Sequence, residues 1–395
     1  MPLPTTQNLS LNKSQTKTTS TSDDSFDALE KKVLYPVGIN QKFDLWFDHV
    51  RGVPEDEKIF FTQNLAAMFK SGLSAARALK TLALQADNPK FKRALFKIYR
   101  NVEKGERIAD SMAKYPKIFT PIFTNMVRAG ESSGQLEEVL RELTRQLKRS
   151  HELKAKIKGA LMYPMAILIA MVLIGSGMII FVIPKLIGIF TEMNVDLPLA
   201  TRMLIGLSGF VNNYIYIVAP AVILTVFGTF YYTRKGIGQK IWHKIILSFP
   251  VIKTISQKIN LAKISRTLSS LLETDMPIVD SFNLTSNVIS NIYYKESLNA
   301  IAKNVEKGQS IASQMKSYEN LYPPVIQQMI MIGEETGEIS SILNQLAEFY
   351  EEDVSQTMDS LPSLIEPILI VVLGAAVGGM AIAIILPMFS LSAAG

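Results

Sequence analysis

The stretch Asn101–Gly105 reads N-V-E-K-G, and Asn304–Gly308 reads N-V-E-K-G again. The two lie 203 residues apart, and that offset holds without a gap far beyond these five positions. Gly130, Glu131 and Gly134 fall on Gly333, Glu334 and Gly337, while Pro164 and Pro184 fall on Pro367 and Pro387. A register kept over such a distance marks an internal duplication. The remaining chain is what precedes, separates or follows two copies of one unit.

Within each copy the apolar spacing is helical. Ile59, Phe60, Leu65, Met68 and Phe69 share an apolar face, closed by Gly72 as a C-terminal cap. Asn88-Pro89 predicts a helix start, with Asn at the N-cap and Pro at the first helical position. Phe91, Leu95, Ile98 and Val102 line the buried stripe of that helix and Gly105 ends it. The second copy places Tyr294, Leu298, Ile301 and Val305 on the same stripe, with Gly308 at its end. A short helix near 108–114, a segment at 122–129, a turn at 130–134 and a long helix from about Leu136 complete the first copy. Strand signals are sparse, so the expected fold is all-α, with two homologous helical bundles.

Three uncharged stretches interrupt this scheme: Gly159–Pro184, Met203–Thr233 and Pro367–Gly395. Each exceeds the roughly 20 residues that cross a ~30 Å hydrocarbon layer. The mean hydropathy of +0.20 is high for a soluble chain. Basic residues flank the first two stretches. Lys148, Arg149, Lys154, Lys156 and Lys158 precede the first, and Arg234, Lys235, Lys240, Lys244, Lys253 and Lys258 follow the second. Lys185, Glu192, Asp196 and Arg202 cancel in the connection between them. The positive-inside rule then places both bundles in the cytoplasm. The duplication argues the same way, because two equally oriented copies need one returning span between them.

The resulting organisation is a disordered or extended N-terminal segment at 1–54, a first cytoplasmic bundle at 55–158 and a first transmembrane helix at 159–190. An external connection follows at 191–211, a second transmembrane helix at 212–233 and a basic cytoplasmic linker at 234–258. The second bundle occupies 259–361, the third transmembrane helix 362–390 and an external tail 391–395. The N-terminal segment is rich in Ser, Thr and Gln, with no apolar run of a secretory signal. Its end carries an aromatic cluster, Phe43, Leu45, Trp46 and Phe47, read as packing on the first bundle or binding a partner.

Chemistry-bearing constellations are scarce. The chain has no cysteine, hence no disulfide framework and no thiolate metal site. Its three histidines, His49, His151 and His243, are scattered and read as surface positions. No G-x-x-x-x-G-K-[ST] loop is present, so any ATP hydrolysis that drives this protein takes place on another chain. No catalytic, metal or cofactor residues are assigned, and no nucleic-acid partner is expected.

Two recurrent features remain as candidate sites. Gly130-Glu131-x-x-Gly134 and Gly333-Glu334-x-x-Gly337 read as a tight connection, in which glycine supplies positive φ and the acid sits near the start of the next helix. A force-bearing or partner-binding site, and more weakly a divalent cation site, are the other readings. Pro164, Pro184, Pro367 and Pro387 lie near the ends of spans one and three, where each frees a carbonyl that a neighbouring helix or water must satisfy. Glu366 stands where the first copy has Tyr163, and reaches either into the headgroup layer or toward an intramembrane Lys or Arg. Gly374, Ala375, Ala376, Gly378 and Gly379 give span three a small-residue association face.

Charge separates the copies most sharply. Residues 55–158 carry 21 basic and 12 acidic side chains, whereas 259–361 carry 6 and 14. The basic bundle of one protomer could therefore dock on the acidic bundle of another, each could recruit its own partner, or the basic bundle could lie against anionic lipid.

The combined pattern resembles a known family, the inner-membrane platform proteins of type IV pilus and type II secretion machines (GspF/PilC). The resemblance rests on F-x-x-x-L-A-A-M-F-K-S-G-L-S at Phe61–Ser74, V-E-K-G-E-R-I-A-D-S-M at Val102–Met112 and A-G-E-S-S-G-Q-L at Ala129–Leu136. In the second copy it rests on R-T-L-S-S-L-L at Arg266–Leu272, G-E-E-T-G-E-I at Gly333–Ile339, E-P-I-L-I at Glu366–Ile370 and L-P-M-F at Leu386–Phe389. Two departures stand out. Gln63-Asn64 replaces the family's arginine-glutamine pair, although Arg266 keeps the matching place in the second copy, and Gly72 becomes Asp275. The resemblance implies a non-enzymatic protein of the bacterial inner membrane. Its implied partners are a cytoplasmic hexameric assembly ATPase, pilin or pseudopilin subunits, other inner-membrane assembly components, the lipid bilayer and further copies of itself. An oligomeric transporter or channel subunit is the alternative.

Overall fold

The computed structural model describes residues 52–185, 199–233, 236–248 and 250–394. The readings made for residues 1–51, including the aromatic cluster, lie outside these residues. Among the described residues every regular element is helical. The chain divides into two compact units between Arg149 and Ser150.

In the first unit, α1 (Glu55–Lys70), α2 (Ala75–Gln85), α3 (Pro89–Glu103), α4 (Ile108–Ala113) and α5 (Pro121–Ser133) precede the opening turns of α6 (Leu136–Gly177). Their boundaries follow from local chemistry. Asn88 Oδ1 accepts from the backbone N–H groups of Lys90 and Phe91 at 3.0 and 3.1 Å, with Pro89 in the first turn where no N–H is needed. The N-V-E-K-G stretch is the stop signal of α3. Glu106 N–H donates to the Asn101 carbonyl and Gly105 N–H to that of Val102, both at 3.0 Å, while Gly105 takes φ +89°. This Schellman closure requires a left-handed residue, which glycine adopts without a Cβ clash. The core includes Leu65, Leu79, Leu95, Ile98, Met126 and Leu140. Phe61 packs on Phe91 and Phe119, and Phe119 on Phe123, with ring centroids 5.4, 5.8 and 5.2 Å apart.

The second unit contains the rest of α6, then α7 (Leu199–Asn213), α8 (Ile215–Tyr232), α9 (Gly236–Ser248) and α10 (Pro250–Leu272). It ends with α11 (Ile278–Val288), α12 (Ile292–Val305), α13 (Ile311–Lys316), α14 (Pro324–Thr336) and α15 (Ile339–Ala394). The helices α10–α15 repeat the plan of the first unit, and the closure at Gly308 repeats the one at Gly105. Asp275, at the place of Gly72, also adopts a left-handed conformation, φ +57° against +77°. Here the duplicated backbone has kept its turn after losing the residue best suited to it. Asp275→Gly is expected to raise stability by up to about 1 kcal/mol, and Gly308→Ala to lower it by a similar amount. Denaturant titration of the detergent-solubilised chain measures both.

One core substitution is a matched set. Tyr294, Ser297 and Tyr322 stand where the first copy has Phe91, Ala94 and Phe119. The two tyrosines are fully buried and pack edge to face, 5.8 Å between centroids. Each added hydroxyl has a partner: Tyr294 donates to the Leu321 carbonyl at 3.0 Å, and Tyr322 lies 2.8 Å from Ser297 Oγ, which bonds back to the Tyr294 carbonyl at 2.9 Å. Burial pushes both phenols far above their ordinary range, so they remain donors at any physiological pH.

Among the described residues two helices, α6 continued to Lys185 and α15, are long and apolar enough to cross a membrane. Val172, Leu173, Ile174 and Phe181 on the first, and Leu364, Ile368, Ile370 and Val371 on the second, are exposed. An apolar face of that extent is unstable in water and points to lipid as its solvent. The α8 helix is also uncharged, with Tyr216, Ile217, Leu224 and Phe227 exposed. Neither long helix breaks where its bundle ends. At 42 and 56 residues, α6 and α15 run on through Pro164 and Pro367, about 63 and 84 Å at 1.5 Å per residue.

A π turn at Met178–Val182 precedes Pro184. In that register Ile183 N–H donates to the Met178 carbonyl, and proline, lacking an N–H, leaves the Ile179 carbonyl free. The Ser208 hydroxyl of α7 donates to that oxygen at 2.7 Å. The carbonyl expected to need repair at Pro184 is therefore satisfied by a neighbouring helix, and residues 199–211 of the expected connection are helical.

Candidate functional site

The G-E-x-x-G segments are where both copies use the same residues for the same geometry. α5 does not turn at Gly130; it continues to Ser133, and only Gly134 takes a positive φ, +75°. Gly130 is required for a different reason. A Cβ there would lie 2.9 Å from Val139 Cγ2 and 3.2 Å from Leu136 Cα, so its hydrogen permits α5 to touch α6. In the second copy a Cβ on Gly333 would lie 3.2 Å from Ile339 Cα, and Gly337 again takes φ +75°. The expectation that both glycines supply left-handed backbone is thus corrected: one supplies it and the other supplies space.

The acid is corrected too. Glu131 lies in the last turn of α5, and its carboxylate reaches back to the start of α4. Ile108 N–H donates to Oε1 at 2.9 Å and Ala109 N–H to Oε2 at 3.1 Å. Glu334 accepts from Ile311 and Ala312 at 2.6 and 3.0 Å, and from the Ser310 hydroxyl at 2.8 Å. Each carboxylate caps the positive end of a six-residue helix that could not hold itself in water. The dipole effect expected of this acid operates, but on another helix, because the capped amides lie 22 and 23 residues upstream. Glu131→Ala is expected to cost about 1–2 kcal/mol and Glu131→Gln about half of that. Hydrogen exchange at 108–113 resolves the two.

Ionic contacts in the second unit tie its helices together. Arg266 on α10 donates through Nε and Nη2 to both oxygens of Glu351 on α15, at 2.9 and 2.8 Å, and through Nη1 to Asn344 at 2.5 Å. This two-toothed contact is largely buried, with side-chain exposures of 9% and 22%. Farther along, Lys258 bonds Asp353 at 2.7 Å and Thr357 at 3.1 Å. A small apolar cluster follows, in which Leu153, Ile157 and Ala160 of α6 and Ile255 and Ile259 of α10 pack against Val354, Met358 and Leu361 of α15. Lys156 joins this crossing through Ser355 and, at 3.7 Å, Asp359. The two long helices therefore meet just before their uncharged stretches begin. Pro164 is buried, and Glu366 and Pro367 are exposed. Among the described residues Glu366 has no ionic partner.

The basic linker contains α9, which lies on α12. His243 is half-buried here, contrary to its reading as a surface residue. Its Nδ1 accepts the Ile292 N–H at 3.2 Å, Gln239 donates to the Ser290 carbonyl at 3.5 Å, and Lys240 pairs with Glu296 at 2.8 Å. Burial holds the His243 pKa below the ordinary value near 6.5. The sign follows directly: the docked state favours neutral imidazole, so its stability is complete above 6.5 and declines as the pH falls through the lowered value. A proton on Nδ1 also removes the acceptor and puts charge at a helix N-terminus. Proteolysis within 236–248 is expected to accelerate on acidification toward about pH 5, and His243→Asn to flatten that dependence.

No group of three or more His, Cys, Asp or Glu side chains is arranged to hold a metal among the described residues. The architecture is that of a duplicated helical scaffold on apolar helices, and comparison with known proteins gives it a place. Residues 61–184 and 264–387 each match the family described as type II secretion system (T2SS), protein F. The starts and the ends of the two matches are separated by 203 residues, the offset of the N-V-E-K-G repeat. The chain belongs to this protein F family. Among its relatives, the type IV pilus assembly protein PilC of Myxococcus xanthus is 31% identical over 365 residues, 91% of this chain and 87% of that one. The type IV pilus assembly protein TapC of Aeromonas hydrophila is 32% identical over 334 residues, 84% and 80% of the two chains. The type II secretion system protein F of Vibrio cholerae is 27% identical over 347 residues, 88% and 85%. Pilus and secretion members of the protein F family thus both align along most of this chain.

Proposed function

We propose that this chain is an inner-membrane platform that couples a cytoplasmic hexameric assembly ATPase to the polymerisation of pilin or pseudopilin subunits. In this reading it has three spans, a cytoplasmic N-terminus, both bundles in the cytoplasm and an external C-terminus, and it acts without catalytic chemistry of its own. The observation that carries the reading is the pair of helices α6 and α15. Each runs unbroken from a packed bundle into an exposed apolar stretch, and within the second unit Leu153, Ile157 and Ala160 of α6 join the apolar cluster of Val354, Met358 and Leu361 on α15. A continuous helix can carry a displacement along its own length, and helices that share an apolar cluster shift together. A push on a bundle is then delivered to apolar surface able to contact a subunit helix in the bilayer.

The absence of cysteine makes the topology directly testable. Single cysteines at Met193 and Ala393 should react with a membrane-impermeant maleimide on intact spheroplasts. Those at Lys117, Lys244 and Ser317 should react only after lysis. The reverse pattern for either bundle would sink the topology. The coupling role is tested by purifying the tagged chain from its native cells. Recovery of neither a hexameric ATPase nor pilin-like subunits, with the chain intact, would contradict it.

A further inference from the structure

The first bundle carries a surface cavity of about 290 Å³. Phe60, Phe61, Leu82, Ala86, Phe91 and Leu95 line its apolar part, and Asp56, Glu57 and Asp87 its acidic end. The duplication explains the space. Ile289, buried in the second core, stands where the first copy has Ala86. Two groups at the cavity lack company. Phe60 is 54% exposed, and Glu57 Oε2 is buried with no hydrogen-bond partner although Oε1 accepts from Asp87 and Asn88. A buried carboxylate oxygen without a donor is costly, so a donor-bearing apolar group is what the cavity fits.

We propose that this cavity is the seat of the chain's own N-terminal aromatic segment, Lys42–Asp48. Three observations select that occupant over an outside partner. The segment ends a few residues before α1, whose first two turns form one wall of the cavity, so it lies within easy reach at ~3.3 Å per residue. Its chemistry matches: Phe43, Trp46 and Phe47 fall on one face at helical spacing, Trp46 brings a ring N–H, and Lys42 suits the acidic end. Asp44 and Asp48 fall together away from that face, so docking it leaves both carboxylates in water.

The second copy supplies a precedent for the polar part of this contact only, because Ile289 already fills the space that Ala86 leaves open. Gly236-Ile237-Gly238-Gln239-Lys240-Ile241 opens α9, and Gln239 and Lys240 hold that helix on α12 beside the equivalent α11–α12 corner. The N-terminal segment contains the related run Gly38-Ile39-Asn40-Gln41-Lys42-Phe43. Each bundle thus has a G-I-x-Q-K run in the segment before it, and in the second that segment is docked.

The chain has only two tryptophans, Trp46 and Trp242. In the full chain carrying Trp242→Phe, Trp46 should emit at short wavelength and resist acrylamide. Ala86→Ile, which fills the cavity with the second copy's own side chain, should shift that emission to long wavelength and abolish the protection. Phe60→Ala, a change at an exposed position, should weaken protection if Ala86→Ile proves unstable. Paired cysteines at Phe47 and Gln85 should cross-link within one chain. A Trp46 already exposed in the parent, protection unchanged in both cavity variants, or cross-links found only between chains would each overturn the proposal, the last by making a second copy the occupant.

Discussion

Replacing Arg266 with alanine is expected to destabilise the second bundle more than any other single polar change considered for this protein. The loss should be about 3–5 kcal/mol, because Glu351 is left mostly out of water with neither of its two N–H partners. Exposure of Glu351 at 22% favours the lower end of that range. The pair itself is not the source of the whole effect. Arg266→Met with Glu351→Leu removes both charges, and this double variant should recover most of the stability. Denaturant titration of the four proteins in the cycle measures the coupling directly. Additive losses would show that the contact is solvent-screened and unimportant. In the first copy the same places hold Gln63 and Lys148, so this contact belongs to the second bundle.

The second large effect concerns a hydroxyl. Ser297→Ala deletes one oxygen and a single small side chain, yet should cost about 2 kcal/mol, because Tyr322 then buries an unpartnered donor. Adding Tyr322→Phe should return much of that loss, since it recreates the Ala94 and Phe119 combination of the first copy. Tyr322→Phe alone should be milder than Ser297→Ala alone, because Ser297 keeps its bond to the Tyr294 carbonyl. The order of the three melting temperatures is the readout. If Ser297→Ala is neutral, the hydroxyl is satisfied in some other way and the matched-set account is wrong.

Both results bear on what a duplication preserves. The backbone plan, the helix stops and the caps of short helices recur in both copies. What differs is how each core and each surface is completed: phenylalanine against a tyrosine-serine network, Gln63 against Arg266, Ala86 against Ile289. The scaffold is common and the partners are free to differ, which fits a protein whose two bundles carry opposite charge.

Much of this was legible in the chain itself. The repeat, the all-helical class, the Asn88 cap and the left-handed stops at Gly72 and Gly105 depend on residues within one or two turns of each other. The uncharged stretches depend on composition alone. Tertiary structure decided what those local features serve. Glu131 belongs to α4 and not to the helix that follows it. Arg266 finds Glu351 85 residues away, Ser208 satisfies a carbonyl 29 residues back, and Gly130 serves contact where a turn was expected. These choices turn on which side chains packing brings within about 3 Å. That distance is set by the crossing of helices whose order along the chain does not specify it.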